Sequence, residues 1–181
     1  IFSCCTQKQG LLDAPQNFQG DVWTFYPTSP VLKGQEQNVL AKISIRIPQG
    51  QGGQALESLQ IKLGGETDLK DIEQLEVFSS GSNPEMEGAV LLASVKATQN
   101  SQNISCKTLL NAGENFLWLS CKLAETANIQ HKIELEVDKA QLAKYGSVST
   151  KSANPAAPKY IGWALRRRNQ DQVHTYRIPG L

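Results

Sequence analysis

At 181 residues the chain has room for one well-packed domain with tails, or for two very small ones. Its 18 Lys and Arg balance 17 Asp and Glu, so its charge gives no footprint for nucleic acid or for an acidic membrane surface. No apolar run approaches the ~20 residues of a membrane-spanning helix. Four cysteines and two histidines lack the spacing of a zinc site, so neither a metal nor a cofactor is expected. With only 19% charged residues and abundant Gln, Asn, Ser and Thr, the composition fits a secreted β-protein.

Residues 1–20 form an N-terminal segment. Ile1-Phe2-Ser3-Cys4-Cys5 is apolar, then small, then cysteine, and polar Thr6-Gln7-Lys8-Gln9 follows. Two readings stand: the remnant of a bacterial lipoprotein signal with Cys4 or Cys5 lipidated, or an ordinary segment with two inert thiols. Lipidation would be the chain's only link to a membrane.

From residue 21 to 146 the pattern is strand, turn, strand. Val22-Trp23-Thr24-Phe25-Tyr26 is a β-rich run closed by Pro27, and Pro30 opens Val31-Leu32-Lys33-Gly34. Val39, Ala41, Ile43, Ile45 and Ile47 alternate with Leu40, Lys42, Ser44 and Arg46 up to Pro48, a period of two. After the flexible Gln49–Gly53, Leu59, Ile61 and Leu63 alternate again. Thr67–Ile72 reads as a turn or short helical connection into Leu75-Glu76-Val77-Phe78, and Leu91, Ala93, Val95 and Ala97 give a further strand.

Ile104–Leu110 and Phe116–Leu123 flank the turn Asn111-Ala112-Gly113-Glu114-Asn115. Folded about Gly113 as a hairpin, they bring Cys106 opposite Cys121 on one face, which a one-residue slip would undo. Two outcomes stay open: a disulfide, worth ~3 kcal/mol in the chain-entropy model, or two buried thiols acting as small hydrophobes. Ile133, Leu135 and Val137 alternate with Lys132, Glu134 and Glu136, and 138–145 extends that strand. Residues 147–159, rich in Ser, Ala, Lys and Pro, read as a linker. The sum is all-β, an antiparallel β-sandwich of jelly-roll or lectin-like type with about eight strands. No internal repeat, phosphate loop, nucleotide fingerprint or heptad is present, and scattered Ser, His, Asp and Cys lack any supporting catalytic motif.

Residues 160–181 change character, running from Tyr160-Ile161-Gly162-Trp163-Ala164-Leu165 through Arg166-Arg167-Arg168 to Val173-His174-Thr175-Tyr176-Arg177-Ile178-Pro179-Gly180-Leu181. This stretch resembles the entry to the catalytic propeller of bacterial exo-α-sialidases, whose first blade carries the Arg-Ile-Pro motif matched by Arg177-Ile178-Pro179. Leu63-Gly64-Gly65 through Asp71-Ile72 to Phe78, and Leu110-Asn111-Ala112-Gly113-Glu114-Asn115-Phe116-Leu117-Trp118-Leu119, are similar to the β-domain that precedes such propellers.

The resemblance implies that Arg177 is the first of three arginines gripping the substrate carboxylate. A planar guanidinium holds a carboxylate bidentately, as a lysine does not. It also implies a retaining glycosidase with a tyrosine nucleophile, a glutamate partner and an aspartate acid/base, an exception to the two-carboxylate scheme. None of those further positions, and no Asp box, occurs in these residues, so the chain by itself is expected to lack activity. His174 is read as a packing or orienting residue and Arg166–Arg168 as a solvated linker face.

The β-domain is then expected to bind or position glycans, sialylated or galactose-terminated, or else to act as a purely structural or adhesin-like module. Trp23, Tyr26 and Trp118 are the sugar-stacking candidates, each with core packing as its alternative. The protein's own propeller is the other expected partner, and its expected place is secreted, periplasmic or on a bacterial outer surface.

Overall fold

The computed structural model describes residues 18–163. In chain order the strands are β1 (Asp21–Phe25), β2 (Val31–Lys33), β3 (Asn38–Ile47), β4 (Gln54–Leu63), β5 (Ile72–Gly81), β6 (Val90–Val95) and β7 (Ser101–Leu110). There follow β8 (Gly113–Leu123), β9 (Lys132–Ile133), β10 (Leu135–Leu142), β11 (Gly146–Ser149), β12 (Lys151–Ser152) and β13 (Lys159–Trp163). A 3-10 turn at Leu69–Asp71 leads into β5, capped where the Asp68 carboxylate accepts the Lys70 amide at 3.0 Å. This is the short helical connection that residues 67–72 predict.

Three sheets result. One has six strands in the order β12-β1-β3-β8-β5-β6, one has four in the order β11-β10-β4-β7, and a small one is β2-β13-β9. Ile43, Ile45, Leu117, Leu119, Leu75 and Val77 from the six-stranded sheet share one core with Leu59, Ile61, Ile104, Val137 and Leu142 from the four-stranded sheet. The expected all-β sandwich is therefore present. Pairing is antiparallel except for β1 with β12 and β2 with β13, which run parallel.

Bulges explain where simple alternation slips. Register shifts between Val39 and Ala41, Leu56 and Ser58, and Val137 and Lys139 each insert a residue. In β3 the extra residue is Leu40, so Leu40 and Ala41 are both buried and the inward set then continues as Ile43, Ile45 and Ile47. Uninterrupted alternation had placed Val39 inside and Leu40 outside, the reverse of what the bulge produces.

The hairpin expected between Ile104–Leu110 and Phe116–Leu123 does not form. β7 pairs with β4 and β8 with β3 and β5, so the chain crosses from one sheet to the other at residues 111–112. Gly113 takes φ 97° there, a left-handed value that glycine accepts without strain. The buried Asn115 side chain holds the corner, accepting from the Asn111 amide at 3.0 Å and donating to the carbonyls of Asn111 at 2.9 Å and Ile45 at 3.3 Å. One side chain thus satisfies backbone groups that a hairpin partner would otherwise take. Cys106 and Cys121 lie in different sheets, and both are buried and free. Burial pushes each thiol up to about 12.

The stretch expected as a linker is also part of the sandwich. β11 pairs with β10 and β12 with β1, while β13 adds between β2 and β9. The Thr150 hydroxyl donates to the Val137 carbonyl at 2.6 Å. The Asn154 amide brackets the Tyr26 backbone, accepting its N–H at 2.9 Å and donating to its carbonyl at 2.7 Å. Short edge strands hold on through main-chain bonds, so Ser, Ala and Pro suffice and no apolar period is needed.

Candidate functional site: an aromatic groove on the outer sheet face

In β1, Val22 and Thr24 point into the core, which leaves Asp21, Trp23 and Phe25 on the outer face of the six-stranded sheet. The register then sets their neighbours. Trp23 lies across from Ser44 and Ser44 from Phe116; Phe25 lies across from Lys42, Lys42 from Trp118, and Trp118 from Phe78. Two cross-strand rows thus place aromatic rings on either side of a lysine and a serine.

Between them runs an open groove of about 410 Å³ lined by Trp23, Phe25, Pro27, Lys42, Ser44 and Trp118. Trp23 is 43% exposed and Phe25 49%, so one wall presents bare ring surface to solvent. Trp118 is 9% exposed. Its indole N–H donates to the Ser80 hydroxyl at 3.0 Å, where β5 runs into the loop 82–89. The Lys42 ammonium stands 4.8 Å from the Phe116 ring centre and 4.9 Å from that of Trp118, and it donates to the Pro84 carbonyl. Cation–π contacts of this kind are worth ~0.5–1 kcal/mol at exposed sites. They hold the ammonium beside the groove and tie the loop down over the far wall.

Charges frame the near wall. Asp21 receives Arg46 and Lys151, each at 2.5 Å, and Lys151 also lies 5.5 Å from the Trp23 ring centre. Hydrogen bonds from Lys151 first, and then from Arg46, hold the Asp21 carboxyl below its ordinary value. The Ser44 hydroxyl donates to Glu114. In chemical terms the groove offers a flat apolar surface with one ammonium and one hydroxyl at its floor.

Of the sequence candidates, Trp23 and Trp118 meet in this groove. Tyr26 does not. It is 4% exposed and belongs to the core, where its hydroxyl accepts the Val137 amide at 3.0 Å. Arg177 and His174 lie outside the described residues, as do Cys4, Cys5 and Arg166–Arg168. Sequence reasoning passed over Phe25, Lys42, Ser44 and Phe116. Strand parity was the available signal, since Phe25 shares a face with Trp23, and Phe116 with Trp118. The missing information was the register joining β1, β3 and β8. Among the described residues no cluster of three or more His, Cys, Asp or Glu is arranged to hold a metal ion.

The comparisons with known proteins agree with this architecture. Residues 22–96 and 84–145 match the family described as the N-terminal domain of BNR-repeat neuraminidase. No curated protein sequence matches the chain. Among solved structures, one named Hadza microbial sialidase Hz136 shares the fold, with a TM-score of 0.74 and 21% identity over 87% of this chain. The chain spans 34% of that protein's length. Since the family match covers residues 22–145, well over half of the sequence, the chain belongs to the family of N-terminal domains of BNR-repeat neuraminidases.

Proposed function

We propose that this domain holds glycans for a sialidase of which it forms the N-terminal part, using the groove between Trp23 and Trp118. The family description and the name of the structural relative support a parent that releases terminal sialic acids. The sequence Arg177-Ile178-Pro179 supports the same parent, with Arg177 as a carboxylate clamp in the propeller that follows. Such a parent works on glycoconjugates outside the cytoplasm, in keeping with export.

The observation that carries the glycan reading is the pairing of exposed Trp23 and Phe25 with Lys42 and Ser44 in one groove. A pyranose has one face of C–H groups and a rim of hydroxyls. An exposed indole takes the first, and an ammonium and a hydroxyl take the second. The domain alone is proposed to bind, not to cleave. Titrating the chain with sialyllactose and lactose, followed by tryptophan fluorescence and calorimetry, tests the reading. Saturable binding that weakens about tenfold in Trp23→Ala supports it, and no response at millimolar sugar overturns it.

A further inference from the structure

The register that builds the groove also divides it. Three rows of side chains cross β1, β3 and β8 on the outer face. Asp21, Arg46 and Glu114 form the first, Trp23, Ser44 and Phe116 the second, and Phe25, Lys42 and Trp118 the third. The groove is lined from the second and third rows, with Pro27 beyond the end of β1. The first row bounds it with charge, Arg46 and Lys151 meeting Asp21 and the Ser44 hydroxyl donating to Glu114. Two rows of aromatic surface therefore lie between a charged end and a proline.

Trp23 and Phe25 leave one strand face two residues apart, so their side chains are set ~7 Å apart along it. That is on the scale of one pyranose ring to the next in a linked pair. Each ring also has its own polar partner directly across the strand pair, Ser44 for Trp23 and Lys42 for Phe25. A volume of about 410 Å³ falls within the ~300–1,000 Å³ of sites that enclose drug-sized ligands, and one hexose would leave much of it empty. The cations around the groove are engaged: Lys42 with the Pro84 carbonyl and the Phe116 and Trp118 rings, Arg46 and Lys151 with Asp21. A sugar carboxylate would have to break one of these contacts to gain a counter-ion, beside the like charges of Asp21 and Glu114. A sugar hydroxyl needs only a further N–H of the Lys42 ammonium.

We infer that the groove is a platform with two subsites for an uncharged disaccharide, one sugar on Trp23 with Ser44 and the next on Phe25 with Lys42. This rests on the glycan reading and narrows it, from any sugar to a neutral linked pair. Trp118 serves as the floor behind Lys42, since its indole N–H is already spent on the Ser80 hydroxyl at 3.0 Å. Removing a terminal acidic sugar from a glycan uncovers a neutral end, so the platform suits what the proposed parent leaves behind.

Calorimetric titration of the 181-residue chain with lactose, methyl β-galactoside, methyl β-glucoside and sialyllactose tests this. Lactose is expected to bind about tenfold tighter than either methyl glycoside, the scale of one further aromatic contact, and sialyllactose no tighter than lactose. Phe25→Ala is expected to bring lactose down to the level of a single sugar. Equal affinity for lactose and a methyl glycoside would overturn the inference while leaving the glycan reading in place. So would tighter binding of sialyllactose, or a lactose affinity unchanged in Phe25→Ala. Binding of none of the four would remove both.

Discussion

The Lys42 ammonium sits 4.8 Å from the centre of the Phe116 ring and 4.9 Å from that of Trp118. It also donates to the Pro84 carbonyl, so one side chain joins the floor of the groove to the loop above it. Lys42→Ala is therefore expected to free the loop 82–89 while leaving the core intact. Stability should fall by only about 1 kcal/mol. Amide exchange should accelerate at 82–89 and remain slow at Ile43 and Leu119. A uniform loss of protection across the sheet would contradict this local role.

Trp23 has the opposite profile, since it is exposed and its ring supports nothing in the core. Trp23→Ala should leave the melting temperature nearly unchanged and weaken glycan binding about tenfold, or ~1.4 kcal/mol. Tyr26→Phe is the control. It removes the hydroxyl that accepts the Val137 amide, so it should cost stability and leave the affinity of the remaining folded protein unaltered. Paired melting and binding measurements separate the two.

Asp21 gives a pH-dependent prediction with a definite sign. Hydrogen bonds from Lys151 and Arg46 lower its folded-state value, so the carboxylate contributes stability above the ordinary aspartate range. That contribution disappears as pH falls through the lowered folded value. Asp21→Asn should therefore melt below the unmodified protein at pH 7, and the two curves should converge as pH falls below the ordinary aspartate range and through the lowered folded value. A difference that persists undiminished in acid would contradict the ion-pair account.

The two sheet cysteines should be silent toward thiol reagents. Burial pushes both to about 12, so at pH 8 only about one thiol in ten thousand is thiolate, the reactive form. In a Cys4→Ser, Cys5→Ser background, a disulfide-exchange reagent should label neither Cys106 nor Cys121 in the folded chain. It should label both in guanidinium. Rapid labelling of the folded protein would refute the buried arrangement.

Strand periodicity carried most of the sandwich. The alternations at 43–47, 59–63 and 133–137 identify the inward faces of β3, β4, β9 and β10, because a sheet with one buried face imposes a period of two. It could not say which sheet a strand joins. Cys106 and Cys121 both point inward, as parity expects. Yet they do so from different sheets, because Asn115 turns the chain through a corner that resembles a hairpin turn in sequence. Bulges at Leu40 and Asp138 are invisible for a related reason: an inserted residue shifts the phase without changing composition. Edge strands β11 and β12 left no apolar period, since main-chain bonds to β10 and β1 carry them with only Val148 on the core and Lys151 paired to Asp21. For the groove, the aromatic identity of Trp23 and Trp118 was legible. Their convergence was not, because it depends on the pairing of β1 with β3 and of β3 with β8.

The proposed role of the groove between Trp23 and Trp118 is to hold a sugar. The most direct measurement is calorimetric titration of the 181-residue chain and its Trp23→Ala variant with lactose and sialyllactose. The account predicts saturable binding of at least one sugar by the unmodified chain, weakened about tenfold in the variant. No heat from either sugar at millimolar concentration, or equal affinity in the two proteins, would contradict it.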